Sequence, residues 1–261
     1  VYPTEADIRD THSVDRALEG AVAAVNAVGL YVERGRETFR AVHVEGAHTL
    51  AVMAARRGIE RLVHISGIGA ERNSKSAYVR ARADGEAAVL DALPEATILR
   101  PSVMFGPDDN FLNLFIRMAR LLPAIPLFGN GETKLQPVYV DDVARAVAQS
   151  LEAPDTAGRI YELGGPFIYN YRQILELVMA HAGHSRRLVP WPFALWELQA
   201  WCAQILPRPP ISRDQVELMR HDNVVMPGMS TLADIGIRPT ALEEILPLYP
   251  GQDNESSPEA D

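Results

Sequence analysis

Tyr78 and Arg82 lie four residues apart in a stretch with helical patterning, so their side chains share one face of a helix. A phenol with its ordinary pKa of about 10 is a poor acid–base group at neutral pH, and a neighbouring cation favours the phenolate. The pair is therefore either a proton-transfer site, with Tyr78 as acid–base and Arg82 as its cation, or a surface tyrosine beside an unrelated arginine. Spacing alone leaves both open. Ser66 ends a preceding apolar run, LVHIS, with no nucleophile elbow around it. The histidines show no metal-ligand pattern: His43 and His48 do not share a helical face, His181 and His184 flank Gly183, and no cysteine or glutamate set completes a site. Asp108-Asp109 and Asp141-Asp142 resemble paired carboxylates, but each pair opens a helix, where capping and the helix dipole account for it.

The elements that must position these groups alternate between short apolar runs and amphipathic helices, the pattern of an α/β fold with a largely parallel sheet. Residues 22–30 read as a buried strand. Val44 to Arg57 carries Val44, Ala47, Ala51 and Ala54 at helical spacing and stops at Gly58. Residues 61–66 form a second strand, Tyr78 to Leu90 a helix ended before Pro94, and residues 96–102 a third strand. Beyond Gly106-Pro107, helices are predicted at 111–122 and at 141–151, the latter capped by Asp141, with short strands at 136–140 and 159–163. From Asn170 the chain reads as mostly helical. Asn170 caps 171–182, and Thr240 with Glu243 makes a capping box. Residues 251–261 are polar and acidic and read as a disordered tail. Between Pro192 and Pro207, a wide apolar helical surface carries Phe193, Trp196, Leu198, Trp201, Cys202 and Ile205. With Trp191, the segment 191–206 holds all three tryptophans, and it either packs within the C-terminal part or docks on a partner or membrane boundary.

Composition narrows the function classes. A chain of 261 residues, 47% hydrophobic and 23% charged, can bury a substantial core. Its net charge of -9 offers no basic patch for phosphate backbones, so nucleic acid is not an expected partner. The single cysteine, Cys202, cannot form an internal disulfide, which points to a reducing compartment. No uninterrupted apolar run approaches the ~20 residues of a membrane-spanning helix.

The order of NAVG at 26–29, HVEGA at 43–47, LVHISG at 62–67, Tyr78-x-x-x-Arg82 and LRPSVMFGP at 99–107 resembles the extended and atypical short-chain dehydrogenase/reductases. Residues 38–70, ATILRPSVMFGPDDNFLN, QPVYVDDVARAV, YELGGP and the late DNVV and STLADIGIRPT resemble one subgroup more closely. That subgroup is the NAD(P)H-binding accessory subunits of respiratory complex I, of the alpha-subcomplex nine type, with their bacterial counterparts. The resemblance implies a Rossmann-like, mostly parallel sheet over 1–106 and 136–152, and a small, mostly helical lobe over 107–135 and 153–250. It implies NADP or NAD as the cofactor, held by Asp7, Ile8, Asn26, Val28, Gly29, Ser66, Tyr78, Arg82, Pro101, Ser102 and Val103. It also implies complex I subunits as partners and a peripheral place on the cytoplasmic side of the inner membrane, or on the matrix side in a mitochondrion.

The departures matter as much. Active members carry a hydroxyl one position after Ser66, where this chain has Gly67, and the usual lysine of Tyr-x-x-x-Lys is Arg82. A planar guanidinium does not simply replace a compact ammonium at a packed site. His43 stands where extended members often have asparagine, and the only lysines are Lys75 and Lys134. No Gly-x-x-Gly-x-x-Gly turn for a pyrophosphate occurs, so the chain is expected to be a truncated form lacking about fifty residues of strand and crossover helix. The expected function is a non-catalytic or weakly catalytic NAD(P)-binding subunit. An active reductase or sugar-nucleotide epimerase and an NADPH-sensing regulator are the alternatives.

Overall fold

Helix α1 (Thr11–Ala17) precedes strand β1 (Ala23–Asn26) in the computed structural model, which describes residues 3–203 and 212–249. A π-helical stretch, Arg40–Gly46, then runs into α2 (Ala47–Arg56), and β2 (Arg61–Ile65), α3 (Ala77–Ala92) and β3 (Thr97–Pro101) follow. Further on lie β4 (Met104–Phe105), α4 (Phe111–Leu121), β5 (Ala124–Phe128), β6 (Lys134–Leu135), β7 (Val138–Tyr139) and α5 (Val140–Glu152). The chain continues through β8 (Ile160–Leu163), β9 (Tyr169–Asn170), α6 (Tyr171–His181), β10 (Arg187–Trp191), α7 (Phe193–Ala203), α8 (Arg213–Leu218) and α9 (Leu242–Ile245).

Two units divide these elements. The first comprises the chain through Pro101 with Val143–Leu163 and Val225–Ile237. Its sheet runs β1-β2-β3-β8, parallel throughout, with Asn26 opposite His64, Ile65 opposite Leu99 and Leu99 opposite Tyr161. Strands β2 and β3 are almost continuously buried because helices cover both faces of a parallel sheet, which is why LVHI and TILRP carry no polar alternation. Helix α2 packs through Ala47, Ala51 and Ala54, all 1% exposed or less, and these small side chains let it lie close to Leu62, Ile98 and Val89 in one core. Strand β1 ends the sheet, and its Val25 is 41% exposed where an inner strand would be covered.

Several sequence expectations need correction. The strand expected over 22–30 closes at Asn26, because the Asn26 side-chain oxygen accepts the Val28 N–H at 3.2 Å and turns the chain out of the sheet. The helix expected from Val44 is α-helical only from Ala47; before it, the wider π-helical turn brings the His43 carbonyl against Gly85 of α3. Strand β8 pairs with β3 and so completes the sheet, whereas 153–163 was expected in the lobe. Residues 225–237 join it, since Glu162 N–H donates to Ser230 O at 2.8 Å.

The second unit comprises the described residues of Ser102–Asp142, Gly164–Val224 and Arg238–Tyr249. Among the described residues it is helical with three short strand pairs, β5 with β10, β4 with β7, and β6 with β9. Phe105, Phe115, Ile125, Leu127, Ile174, Val178 and Tyr249 form its core. Asn170 and Gln173 build the expected capping box at α6. The box expected from Thr240 and Glu243 does not form: the N-cap is Ala241, whose N–H donates to Glu244 at 3.1 Å while its methyl side chain returns no hydrogen bond. Thr240 instead gives both its N–H and its hydroxyl to the fully buried carboxylate of Asp142, at 2.6 and 3.1 Å. Helix α5 begins at Val140, so Asp141 lies inside the first turn rather than at the cap. The strand expected over 136–140 is the two-residue β7, with β6 before it. The proposed tail, 251–261, and residues 204–206 of the apolar segment lie outside the described residues.

Candidate nucleotide site

Parallel strands send their carboxyl ends to one edge of the sheet, where the loops that follow them form a crevice. Asn26, Val28 and Gly29 stand after β1, Ser66 and Gly67 after β2, and Pro101 at the end of β3. Helix α3 begins beside that edge. Ser76 caps it by accepting the Val79 N–H at 3.3 Å, and the helical spacing then puts Tyr78, Arg82 and Glu86 on one face.

The Tyr78 hydroxyl accepts a hydrogen bond from Arg82 Nη1 at 3.2 Å, and the guanidinium carbon lies 5.2 Å from the ring centroid. Aromatic rings enclose the phenol: His43, Phe39 and Tyr31 have centroids 5.4, 5.5 and 5.6 Å from it. His43 is fixed by its own Nε2, which bonds Leu30 O at 2.9 Å. Burial pushes the Tyr78 pKa up to about 12; Arg82 pulls it down and Tyr31 adds to the rise. Desolvation wins over the cation, so the hydroxyl is neutral at physiological pH.

Gly67 explains how Arg82 reaches this position. A Cβ placed on Gly67 would collide with the guanidinium of Arg82. The cation therefore occupies the space that a hydroxyl-bearing side chain at 67 would need. The two departures noted in the sequence, glycine at 67 and arginine at 82, are one steric arrangement.

Other expected ligand residues also make hydrogen bonds within the scaffold. Ser66 donates its hydroxyl to Glu86, and Glu86 also receives Arg100 through Nε at 2.9 Å and Nη2 at 2.6 Å. Arg100 reaches Glu162 at 3.4 Å, and Glu162 accepts the Met226 N–H at 2.9 Å. Ser66 is thus a strut between β2 and α3. Asn26 is 2% exposed, and its Nδ2 meets His64 Nδ1 at 3.0 Å, which ties β1 to β2. Burial, with Arg82 and His43 adding to it, lowers the His64 pKa to about 4. Ser102 and Val103 fall in the second unit, where Asn223 Oδ1 accepts the Ser102 hydroxyl at 2.6 Å and the Val103 N–H at 3.0 Å. Backbone hydrogen bonding needs explain this capture: residues just past a strand end must find partners, and the asparagine of DNVV provides them. Pro101 accepts the Ile68 N–H at 3.1 Å. Asp7 is bound by Arg9 at 2.6 Å, which holds its carboxyl down at about 2, and Ile8 packs on Gly46 of the π-helical stretch.

The structure thus brings Gly29, Ser66, Gly67, Tyr78 and Arg82 to one edge with His43 behind them. Tyr31, Phe39, His64, Glu86 and Arg100 were not singled out by sequence. Only Glu86 carried a signal, its spacing of four from Arg82. Backbone is open at Gly29, where the nearest atom to an added Cβ is His43 Cε1 at 3.9 Å, and at Gly69, which has none within 4 Å. The pyrophosphate has no Gly-x-x-Gly-x-x-Gly turn to meet it in this sequence. Among the described residues, no His, Cys, Asp and Glu group could hold a metal ion, and no helix is long and apolar enough to cross a membrane.

The mitochondrial NADH dehydrogenase [ubiquinone] 1 alpha subcomplex subunit 9 of Arabidopsis thaliana is 33% identical over 254 residues, 93% of this chain and 63% of the relative. The mitochondrial NADH-ubiquinone oxidoreductase 40 kDa subunit of Neurospora crassa is 32% identical over 241 residues, 92% of this chain and 63% of the relative. The chain thus spans less than two thirds of the length of either. Among solved structures, the UDP-glucose 4-epimerase of Thermotoga maritima with UDP-glucose superposes with a TM-score of 0.70 at 20% identity, covering 94% of this chain and 81% of that one. The Thermus thermophilus UDP-glucose 4-epimerase complex with NAD gives 0.67 at 22%, covering 93% and 81%. These likenesses carry the fold, a Rossmann-like parallel sheet with flanking helices. The family model described as NAD dependent epimerase/dehydratase matches residues 2–164, and the chain belongs to that family.

Proposed function

We propose that this chain belongs to an NAD(P)-binding, non-catalytic accessory or assembly subunit of respiratory complex I, in which the nucleotide is a structural ligand. The observation that carries the reading is the guanidinium of Arg82 lodged over Gly67 beside a neutral Tyr78. Proton transfer at neutral pH needs a group whose pKa lies near that pH, and Tyr78 is far above it. A bound nicotinamide nucleotide brings hydride chemistry to enzymes of this fold. Here Tyr78 and Arg82 would hold its ribose side, with Gly29 and Gly69 leaving room, and binding would stabilise the folded chain by mass action. The complex I part of the reading rests on the relatives and their names.

The apolar outer side of α7 supplies a contact to partner subunits or to the membrane boundary, since Leu195, Leu198 and Trp201 are 46%, 57% and 63% exposed on it. The location that follows is peripheral, on the cytoplasmic side of a bacterial inner membrane or the matrix side of a mitochondrial one. The test is to tag the full-length protein, solubilise membranes gently, and ask whether complex I subunits co-purify and which nucleotide is bound. Free protein that oxidises NADPH with a carbonyl or sugar-nucleotide substrate would overturn the proposal. The surviving Tyr78–Arg82 hydrogen bond is the one observation on the side of that active-enzyme alternative.

A further inference from the structure

Two arginines of the first unit sit close to α3 and are treated differently. Arg100, 14% exposed in its side chain, is clasped by Glu86 and Glu162. That is the ordinary fate of a guanidinium drawn out of water, because an unpaired buried charge is costly. Arg82 is also partly buried, yet among the described residues its hydrogen bond is to a neutral phenol and no carboxylate pairs with it. Glu86, four residues on and on the same face, is the natural partner. It is instead turned to Arg100 and Ser66, and the extra negative charge of that cluster is met by the Ser66 hydroxyl and the Met226 N–H. Tyr78, with a raised pKa, His43 and His64, with lowered ones, and the bare backbone of Gly67 lie close to Arg82 among the described residues, and none of them brings a negative charge.

We propose that the Arg82 guanidinium, seated over Gly67, is a binding site for an anionic group, a phosphoryl or a carboxylate. Its planar fork makes two parallel hydrogen bonds to either group, which an ammonium at the same place does not. Gly67 is the positioning residue of this seat, since any side chain there would push the fork away. The inference does not depend on the complex I reading; it concerns what one cation binds.

Sodium phosphate and sodium oxalate, titrated at constant ionic strength into the full chain, should bind saturably and shift the Arg82 Nε–Hε resonance. Arg82→Gln should weaken binding by at least about tenfold, the value of a hydrogen bond to a charged group. Gly67→Ala, which keeps the arginine but crowds it, should also weaken it, while Arg187→Gln on exposed β10 should leave it unchanged. Urea unfolding of each variant separates loss of the seat from loss of the fold. Repeating the titration with saturating NADPH identifies the source: competition places the seat within the nucleotide's own site, and undiminished binding assigns it to a separate anion. No saturable shift at Arg82 in the wild-type chain, or equal affinity in a folded Arg82→Gln variant, overturns the proposal.

Discussion

At the scale of single residues, burial decides which side chains do chemistry and which hold the scaffold. The Tyr78 phenol has a folded pKa near 12 against about 10 in an unfolded chain, so its neutral form stabilises the fold fully below pH 10, and that contribution is lost as pH rises towards 12. Wild-type stability should therefore fall more steeply than that of Tyr78→Phe across this window, by up to about 1.4 kcal/mol per pH unit, in urea melts at pH 9 to 12. His64 works at the acid end. Its folded pKa near 4 lies below the usual 6.5, so its contribution is intact above pH 6.5 and is lost as pH falls towards 4. Its ring proton resonances should stay unshifted from pH 7.5 to 5; a midpoint near 6.5 would contradict the burial seen here. Arg100 is a third case. Arg100→Leu leaves Glu86 and Glu162 as buried carboxylates without their cation, and should cost about 3–5 kcal/mol by denaturant unfolding.

At the scale of elements, close approach is bought by small residues, and α3 shows the sign that follows. Gly85 lies in the middle of a helix, where alanine normally gains about 1 kcal/mol. Here an added Cβ would run into the backbone carbonyl of His43 in the π-helical stretch, and backbone cannot swing away as a side chain can. Gly85→Ala should therefore destabilise, by about 1–3 kcal/mol, in thermal or urea unfolding. Helix α7 gives a paired contrast. Trp196 is 8% exposed, stacks on Phe128 at 4.3 Å and donates its indole N–H to Leu127 O at 3.0 Å, so Trp196→Ala should cost about 3–5 kcal/mol. Trp201, mostly exposed, should change stability by no more than about 0.5 kcal/mol when replaced by serine, while weakening any membrane or partner association.

At the scale of the whole chain, β1 is the end strand of the sheet among the described residues, and its Val25 is 41% exposed. Val25→Lys, at an exposed position, should change the urea unfolding midpoint by no more than the equivalent of about 0.5 kcal/mol. How the molecule was legible follows from what kind of force sets each feature. Local patterning specified the three strands and two crossover helices around the site, because apolar runs and capping residues act over a few neighbours. The Tyr78–Arg82 face was legible for the same reason, since helical period fixes it. Sequence by itself thus determined the α/β class, the family motifs, and the odd pairing of Gly67 with Arg82 as two separate departures. Tertiary structure decided that they are one arrangement, that Ser66 and Asn26 are struts, and that Ser102 and Val103 answer to Asn223. Those outcomes depend on which buried polar groups meet across 20 to 121 residues of chain, and hydrogen-bond partners at such separations are chosen by packing, not by any local pattern.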